Sequence, residues 1–190
     1  IQEIIAHEIY EYNLMKRGID YNHAHEQASL IEFDIRNKKI ILPVGHHRQI
    51  TSWSCGPSAL KIVLDFYQVN KNIKYLIKKT ACTIEGTLHK GFKKALKGLD
   101  MKFFEKEDAT ITDIKRFIQS GIPVIVDYQA YHGGHFSVII GYDKNKFLLS
   151  DPAYDKKCKW INEKNFVENW WEEDEPGKIV KKWMLVIYPK

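Results

Sequence analysis

Residues 123–150, PVIVDYQAYHGGHFSVIIGYDKNKFLLS, hold three short apolar runs separated by turn residues. The runs at 123–128, 135–142 and 146–150 are rich in Val, Ile, Phe and Tyr, which suit a half-buried pleated surface. Asp143-Lys-Asn-Lys is too short to carry a crossover helix, so the second and third runs are expected to pair antiparallel. Further strands are expected at KIILPV (39–44), from KKWM onward, and at LVIY (185–188). The chain upstream has a different texture. From Cys55, the residues Ala59, Leu60, Val63, Leu64 and Tyr67 recur at helical spacing, and Pro57 is tolerated in a first turn. This predicts a helix over about 55–68. IKYLIKKT (73–80) and TLHKGFKKALKGL (87–99) predict two more, the second capped by Thr87 and stopped by Gly98. Thr110 to Gln119 repeats that logic before Gly121, and EKNFVENWW predicts a short helix carrying Trp170 and Trp171. Helices first and antiparallel strands afterwards define an α+β fold, not a chain of βαβ units.

Residues 1–38 read as two helices broken near Gly18, carrying Ile1, Ile4, Ile5, Ile9 and Tyr12, then Ala24, Ala28 and Ile31. HAHEQA (23–28) lacks the His-Glu-x-x-His order of a zinc protease helix and is taken as structural. With 190 residues, one substantial core is expected. The net charge of +5 comes mostly from dispersed lysines; only Arg17, Arg36, Arg48 and Arg116 are arginines. A nucleic-acid partner is therefore not expected. No apolar run is long enough to span a membrane. The first residue is Ile1, with no initiator Met or signal sequence, which suggests a part of a longer protein and leaves cytoplasmic and exported locations open.

Three cysteines, Cys55, Cys82 and Cys158, leave at least one thiol free, and their spacing does not suit a zinc site. Cys82 reads as a packing residue and Cys158 as a surface or strand position. Cys55 stands apart. It sits at the first turn of the 55–68 helix, where outward-pointing N–H groups and the macrodipole favour a thiolate. Gly56 would leave room for a substrate carbonyl, and the Cys55 N–H could face an oxyanion, with Gln49 as second donor. His135 opens a strand, and Asp151 ends the next strand sixteen residues later. If the two strands pair, Asp151 can accept from one ring nitrogen of His135 and leave the other for Cys55. His46, His47 and His132 lack spacing for a metal site, and His132 reads as a cleft-wall residue. Asp127 reads as a strand-end or turn acceptor. The five tryptophans read as core or cleft-lining residues.

QITSWSCGPSAL (49–60), GGHFSVIIGYD (133–143) and SDPA (150–153), in this order and spacing, resemble the papain-like cysteine peptidases that process bacteriocin leaders after a double glycine, in particular their free-standing relatives. EGTLHKGFKKALKGL (85–99) resembles that family's helix between Cys and His. The resemblance runs from about Leu42 to Tyr154. It implies Cys55 as nucleophile, His135 as general base and acid, Asp151 as its orienting partner, and Gln49 in the oxyanion hole. It also implies a papain-like fold, with the Cys55 helix packed on a twisted antiparallel sheet, over a domain at 39–190. Residues 1–38 match nothing in the family and are expected to be a helical extension that inhibits, docks or joins the core. A peptide or protein substrate is implied, with neither metal nor organic cofactor. The chain holds no ABC transporter segment, so double-glycine specificity is not part of the expectation. Cysteine peptidase activity, hydrolysing a peptide or isopeptide bond, is the leading reading. Deamidation, transglutamination or peptide transfer, as in an effector or toxin domain, would use the same thiol, and a silent peptide-binding module would keep only the fold.

Overall fold

The computed structural model describes residues 2–37, 39–99, 101–131 and 133–190, and within these the side chains outside 2–6 and 30–37. His132, assigned above to a cleft wall, lies outside the described residues, as do the side chains of Ile4, Ile5 and Ile31. Contacts divide the chain into two compact units, Ile1–Lys39 and Ile40–Lys190.

The first unit is a pair of helices, α1 (Gln2–Lys16) and α2 (Tyr21–Asn37), turned by Gly18 at φ +87°. Ala24 and Ala28 are fully buried, while Ile9 and Tyr12 are exposed.

The second unit opens with β1 (Ile40–Ile41), much shorter than the strand expected over 39–44, because Leu42 onward leaves the sheet for an irregular loop. Three helices follow: α3 (Cys55–Phe66), α4 (Ile73–Thr80) and α5 (His89–Leu96). Their starts have different causes. The side chain of Asn72 caps α4 by accepting from the Lys74 N–H at 2.8 Å. Helix α5 starts from Leu88 with no side-chain cap, so Thr87 does not play the role its position suggested. Its side chain packs against Gly56 instead, where an added Cβ would come within 2.8 Å of it. Gly56 thus serves helix-to-loop packing in place of leaving space for a substrate.

The chain continues through β2 (Met101–Lys106), α6 (Ile111–Gln119), β3 (Val124–Ala130), β4 (Gly133–Asp143), β5 (Lys146–Ser150) and β6 (Lys159–Asn162). It ends with α7 (Glu163–Asn169), β7 (Trp171–Glu175), β8 (Lys178–Lys181) and β9 (Met184–Pro189). A reciprocal capping box joins Thr110 and Asp113 at the start of α6, a device worth about 1 kcal/mol. Trp170 ends α7 and Trp171 already belongs to β7, so neither lies within the helix proper.

The strands form an antiparallel sheet in the order β2-β9-β3-β4-β5-β6, and β1 pairs with the end of β4 through Ile40↔Tyr142 and Ile41↔Gly141. The Asp143↔Lys146 pair closes the β4–β5 hairpin, with Lys144 at φ +52°. Strands β7 and β8 form a separate ribbon. One apolar layer packs α3 and α5 on one face, through Leu60, Leu64, Phe92, Val138, Ile140 and Trp183. The other face buries Ile114, Ile118, Phe147, Phe166 and Trp170. At roughly 1.5–3 kcal/mol for each large side chain removed from water, these two layers hold the sheet rigid on both sides. This is the α+β arrangement expected, with the Cys55 helix lying across β4.

Candidate active site

Cys55 is the first residue of α3, preceded by Ser54 in a non-helical conformation. Ser54 does not cap the helix. Its hydroxyl instead closes the preceding turn, accepting from the Thr51 N–H at 3.1 Å. The first amides of α3 therefore stay uncapped by a side chain, at the end of the helix where partial positive charge gathers. Cys55 is buried, at 7% exposure, and lines a cavity.

His135 lies near the start of β4, the strand under α3, and is 5% exposed. Its Nε2 lies 2.6 Å from Oδ1 of Asp151, which follows the last residue of β5 and is fully buried. The β4–β5 register, with Val138 opposite Ser150, brings the two together. Asp151 thus takes Nε2 and leaves Nδ1 uncommitted, and Cys55 is close enough to raise the pKa of the ring. Burial works to lower the pKa of His135. The hydrogen bonds to Asp151 and Cys55 outweigh it and hold the imidazole up at about 9.

Asp151 is gripped from every side. Its Oδ1 also accepts from the Ala153 N–H at 2.9 Å, and Oδ2 from the hydroxyls of Tyr131 at 3.1 Å and Tyr128 at 3.4 Å. Lys159 Nζ, from β6, stands 2.5 Å from Oδ2. Burial raises the pKa of this carboxyl, but the bonds from His135 and Lys159 lower it more, and it sits well below the usual carboxylate range. Lys159 in turn is desolvated yet held above its ordinary value by Tyr128, Asp151 and Tyr131. Tyr128, Tyr131 and Lys159 were not foreseen. Tyr128 stands opposite His135 in the β3–β4 register, which the sequence pattern could have given; Lys159 comes from a strand the pattern did not reveal.

Gln49 lies in the loop before α3. Its N–H donates to the Pro152 carbonyl at 2.9 Å, tying this loop to the turn that carries Asp151. Its side-chain oxygen is buried and has no hydrogen-bond partner among the described residues. The structure thus brings Cys55, His135 and Asp151 together and anchors Gln49 to the residue after Asp151.

A cavity of about 130 Å³ opens beside Cys55, walled by Gly86, Thr87, His89, Gly134 and Phe136, with Glu85, Glu172, Glu173 and Asp174 along one side. The Glu172 carboxylate lies over Gly134 where a side chain would otherwise project. His89 and Asp174 of this wall belong to a second buried histidine cluster. Asp127 is not a turn residue but a fully buried side chain in the middle of β3, hydrogen-bonded to Nε2 of His89. Asp174 accepts from the His89 N–H at 2.7 Å and stands 3.5 Å from its Nδ1. The His89 ring stacks on Trp183 with centroids 4.1 Å apart and planes 2° from parallel. Of the other tryptophans, Trp170 is buried, while Trp160 and Trp171 are exposed. Cys82 donates to the Trp53 carbonyl at 3.4 Å, and burial pushes its thiol and that of Cys158 up.

A helix delivering a cysteine from its first turn onto an antiparallel sheet that carries a histidine is the arrangement of the papain-like cysteine peptidases. Residues 44–173 match the Peptidase C39 family, and the chain belongs to that family of cysteine peptidases. It is 30% identical over 123 residues to the lactococcin transport/processing ATP-binding protein LcnC-like of Lactococcus lactis subsp. lactis (strain IL1403). It is 24% identical over 125 residues to the pediocin PA-1 transport/processing ATP-binding protein PedD of Pediococcus acidilactici. Each match takes in 64% of this chain and 17% of the relative's length, so the chain spans about a sixth of these relatives. Among solved structures, the peptidase domain of Streptococcus ComA, a bifunctional ABC transporter, superposes with a TM-score of 0.64 at 20% identity, covering 77% of this chain and 99% of that one. A C39-like peptidase from Bacillus anthracis gives 0.67 at 15% identity, covering 81% and 99%. A double-glycine-motif protease of an AMS/PCAT transporter, bound to its leader peptide, gives 0.59 at 17% identity, covering 80% and 99%. No helix among the described residues is long and apolar enough to cross a membrane.

Proposed function

We propose that this chain hydrolyses a peptide bond through Cys55, His135 and Asp151, with Gln49 and the Cys55 N–H holding the oxyanion. The observation that carries the reading is the short bond from His135 Nε2 to Asp151, which commits that nitrogen and leaves the imidazole's other edge to the sulfur. In the reactive form the proton of Cys55 already resides on His135, and the thiolate beside this imidazolium is the nucleophile. The sulfur attacks the scissile carbonyl carbon, the carbonyl electrons move onto oxygen, and the oxyanion meets the amides at the start of α3. Collapse breaks the C–N bond as His135 protonates the leaving amine, giving a thioester. His135 then takes a proton from water, whose oxygen attacks the thioester and releases the acid and the thiol. Asp151 keeps the ring in one tautomer and one orientation throughout.

The cavity between Cys55 and the β7 residues is the place for substrate chain on one side of the scissile bond. Relatives named for processing peptide precursors make a leader peptide ending in a double glycine the first substrate to test, alongside an unbiased peptide library. In mass spectrometry, cleavage would appear as two fragments totalling one added water. Deamidation would add about one mass unit, and transfer would join two molecules. Cleavage by the wild type and none by Cys55→Ala supports the reading; equal cleavage by both removes it.

A further inference from the structure

The helical unit carries a cluster that the peptidase reading does not use. His7 and Glu11, four residues apart, share a face of α1, and His25 meets them from α2. The three ligand-type atoms form a closed triangle. His7 Nε2 lies 3.2 Å from Glu11 Oε2, His25 Nδ1 lies 2.8 Å from that same oxygen, and the two nitrogens are 3.2 Å apart. Protons cannot satisfy all three edges of this triangle. Each ring nitrogen carries at most one in-plane proton, and the carboxylate oxygen has none. If both protons point at Glu11, the nitrogens face each other as two donors; if one is spent between the nitrogens, an edge to the carboxylate loses its proton.

A cation resolves the conflict, because each atom then turns a lone pair toward the same centre. Tetrahedral zinc, with bonds of about 2.0–2.2 Å, spaces its ligand atoms about 3.3 Å apart, close to the three edges here. Two imidazoles and one carboxylate suit zinc-like ions, whereas magnesium and calcium prefer all-oxygen shells. The site is also built asymmetrically. The side chains of His7 and Glu11 are 8% and 13% exposed, while that of His25 is 50% exposed, so an ion can enter from one side. Tyr21 stacks on the His25 ring at 5.6 Å and 19°, fixing its plane.

We propose that His7, Glu11 and His25 bind one zinc-class divalent ion, which clasps α1 to α2 and keeps a fourth position for water or another ligand. The zinc-protease order is absent from α2 alone because the ligands come from two helices. The proposal is independent of the peptidase chemistry and is tested without it. The 190-residue chain carrying Cys55→Ala, which removes the most reactive thiol, is stripped with chelator and titrated with Zn²⁺ by calorimetry and with Co²⁺ by visible absorption. The expected result is one ion per chain and a four-coordinate Co²⁺ spectrum. Further substitution of His25→Ala, at a half-exposed position, or of Glu11→Gln should each weaken binding at least tenfold, with far-UV circular dichroism unchanged in metal-free protein. His46→Ala should leave affinity as it was. Absence of stoichiometric binding, or binding that survives both His25→Ala and Glu11→Gln unchanged, overturns the proposal.

Discussion

The sheet unit holds two buried histidine–aspartate pairs, and their surroundings differ in what they leave over. His89 has Asp127 on one nitrogen and Asp174 beside the other, and the face of its ring is covered by Trp183. Both ring nitrogens therefore face carboxylates, Nε2 in a hydrogen bond and Nδ1 at 3.5 Å. His135 has Asp151 on one nitrogen only, and Cys55, at the start of α3, is the other neighbour that raises its pKa. The second layer differs as well. Asp151 is neutralised from behind by Lys159 and two tyrosine hydroxyls, so its full negative charge need not be met by the imidazole alone. Asp127 has no such cation; burial raises its pKa, and its Oδ1 has no hydrogen-bond partner among the described residues. A buried His–Asp pair becomes chemistry when one ring nitrogen stays available; when both are taken it becomes framework.

Substitutions can break or sharpen this contrast. The largest effect belongs to Cys55→Ala, expected to lower kcat by about 10⁴-fold or more with the melting temperature nearly unchanged. His135→Ala should follow with a loss of about 10²–10⁴-fold, since it removes the proposed proton carrier. At the other pair the readouts should invert. His89→Ala leaves Asp127 and Asp174 buried without their partner, so a loss of about 3–5 kcal/mol in stability is expected. The kcat of the folded fraction should fall far less than in His135→Ala, and the loss of a wall from the cavity beside Cys55 should be read in KM. A His89→Ala enzyme that folds normally but cannot turn over would erase the distinction between the pairs.

The pH dependence gives a finer test. The folded-state pKa of His135 lies above its ordinary value of 6.5, so this group stabilises the fold fully below about 6.5, and the contribution is lost as pH rises through about 9. Asp151 is shifted the other way. Its contribution is present above its ordinary 3.8 and is lost as the pH falls below that value. Thermal melts from pH 3 to 10 should therefore show a plateau bounded on both sides, and Asp151→Asn should flatten both shoulders. The smallest effect is expected at the other thiols. At pH 6, iodoacetamide should label Cys55 well before Cys82 or Cys158, whose thiols are pushed up by burial.

How much of this was legible in the residues depended on range. The α3 helix, the β4–β5 hairpin and the α+β class followed from local periodicity and turn chemistry, and the three motifs carried the family. The edge strand β2 (Met101–Lys106) was missed because Phe103 and Phe104 are adjacent and both partly exposed, so no alternation marks it. Asp127 was misjudged because a lone acid in an apolar run signals a turn unless its partner is known, and that partner, His89, lies 38 residues away. Lys159 and the His7–Glu11–His25 cluster were hidden for the same reason. Their meaning is set by contacts across strands or helices, which no window of sequence contains.

The most direct measurement is the ring titration of His135 by NMR, in wild type and in Asp151→Asn. The account requires a midpoint near pH 9 in the wild type, falling toward 6.5 once the carboxylate charge is gone. A wild-type ring that titrates near 6.5, unmoved by the substitution, would show that His135 is not held charged by its neighbours and would contradict the mechanism.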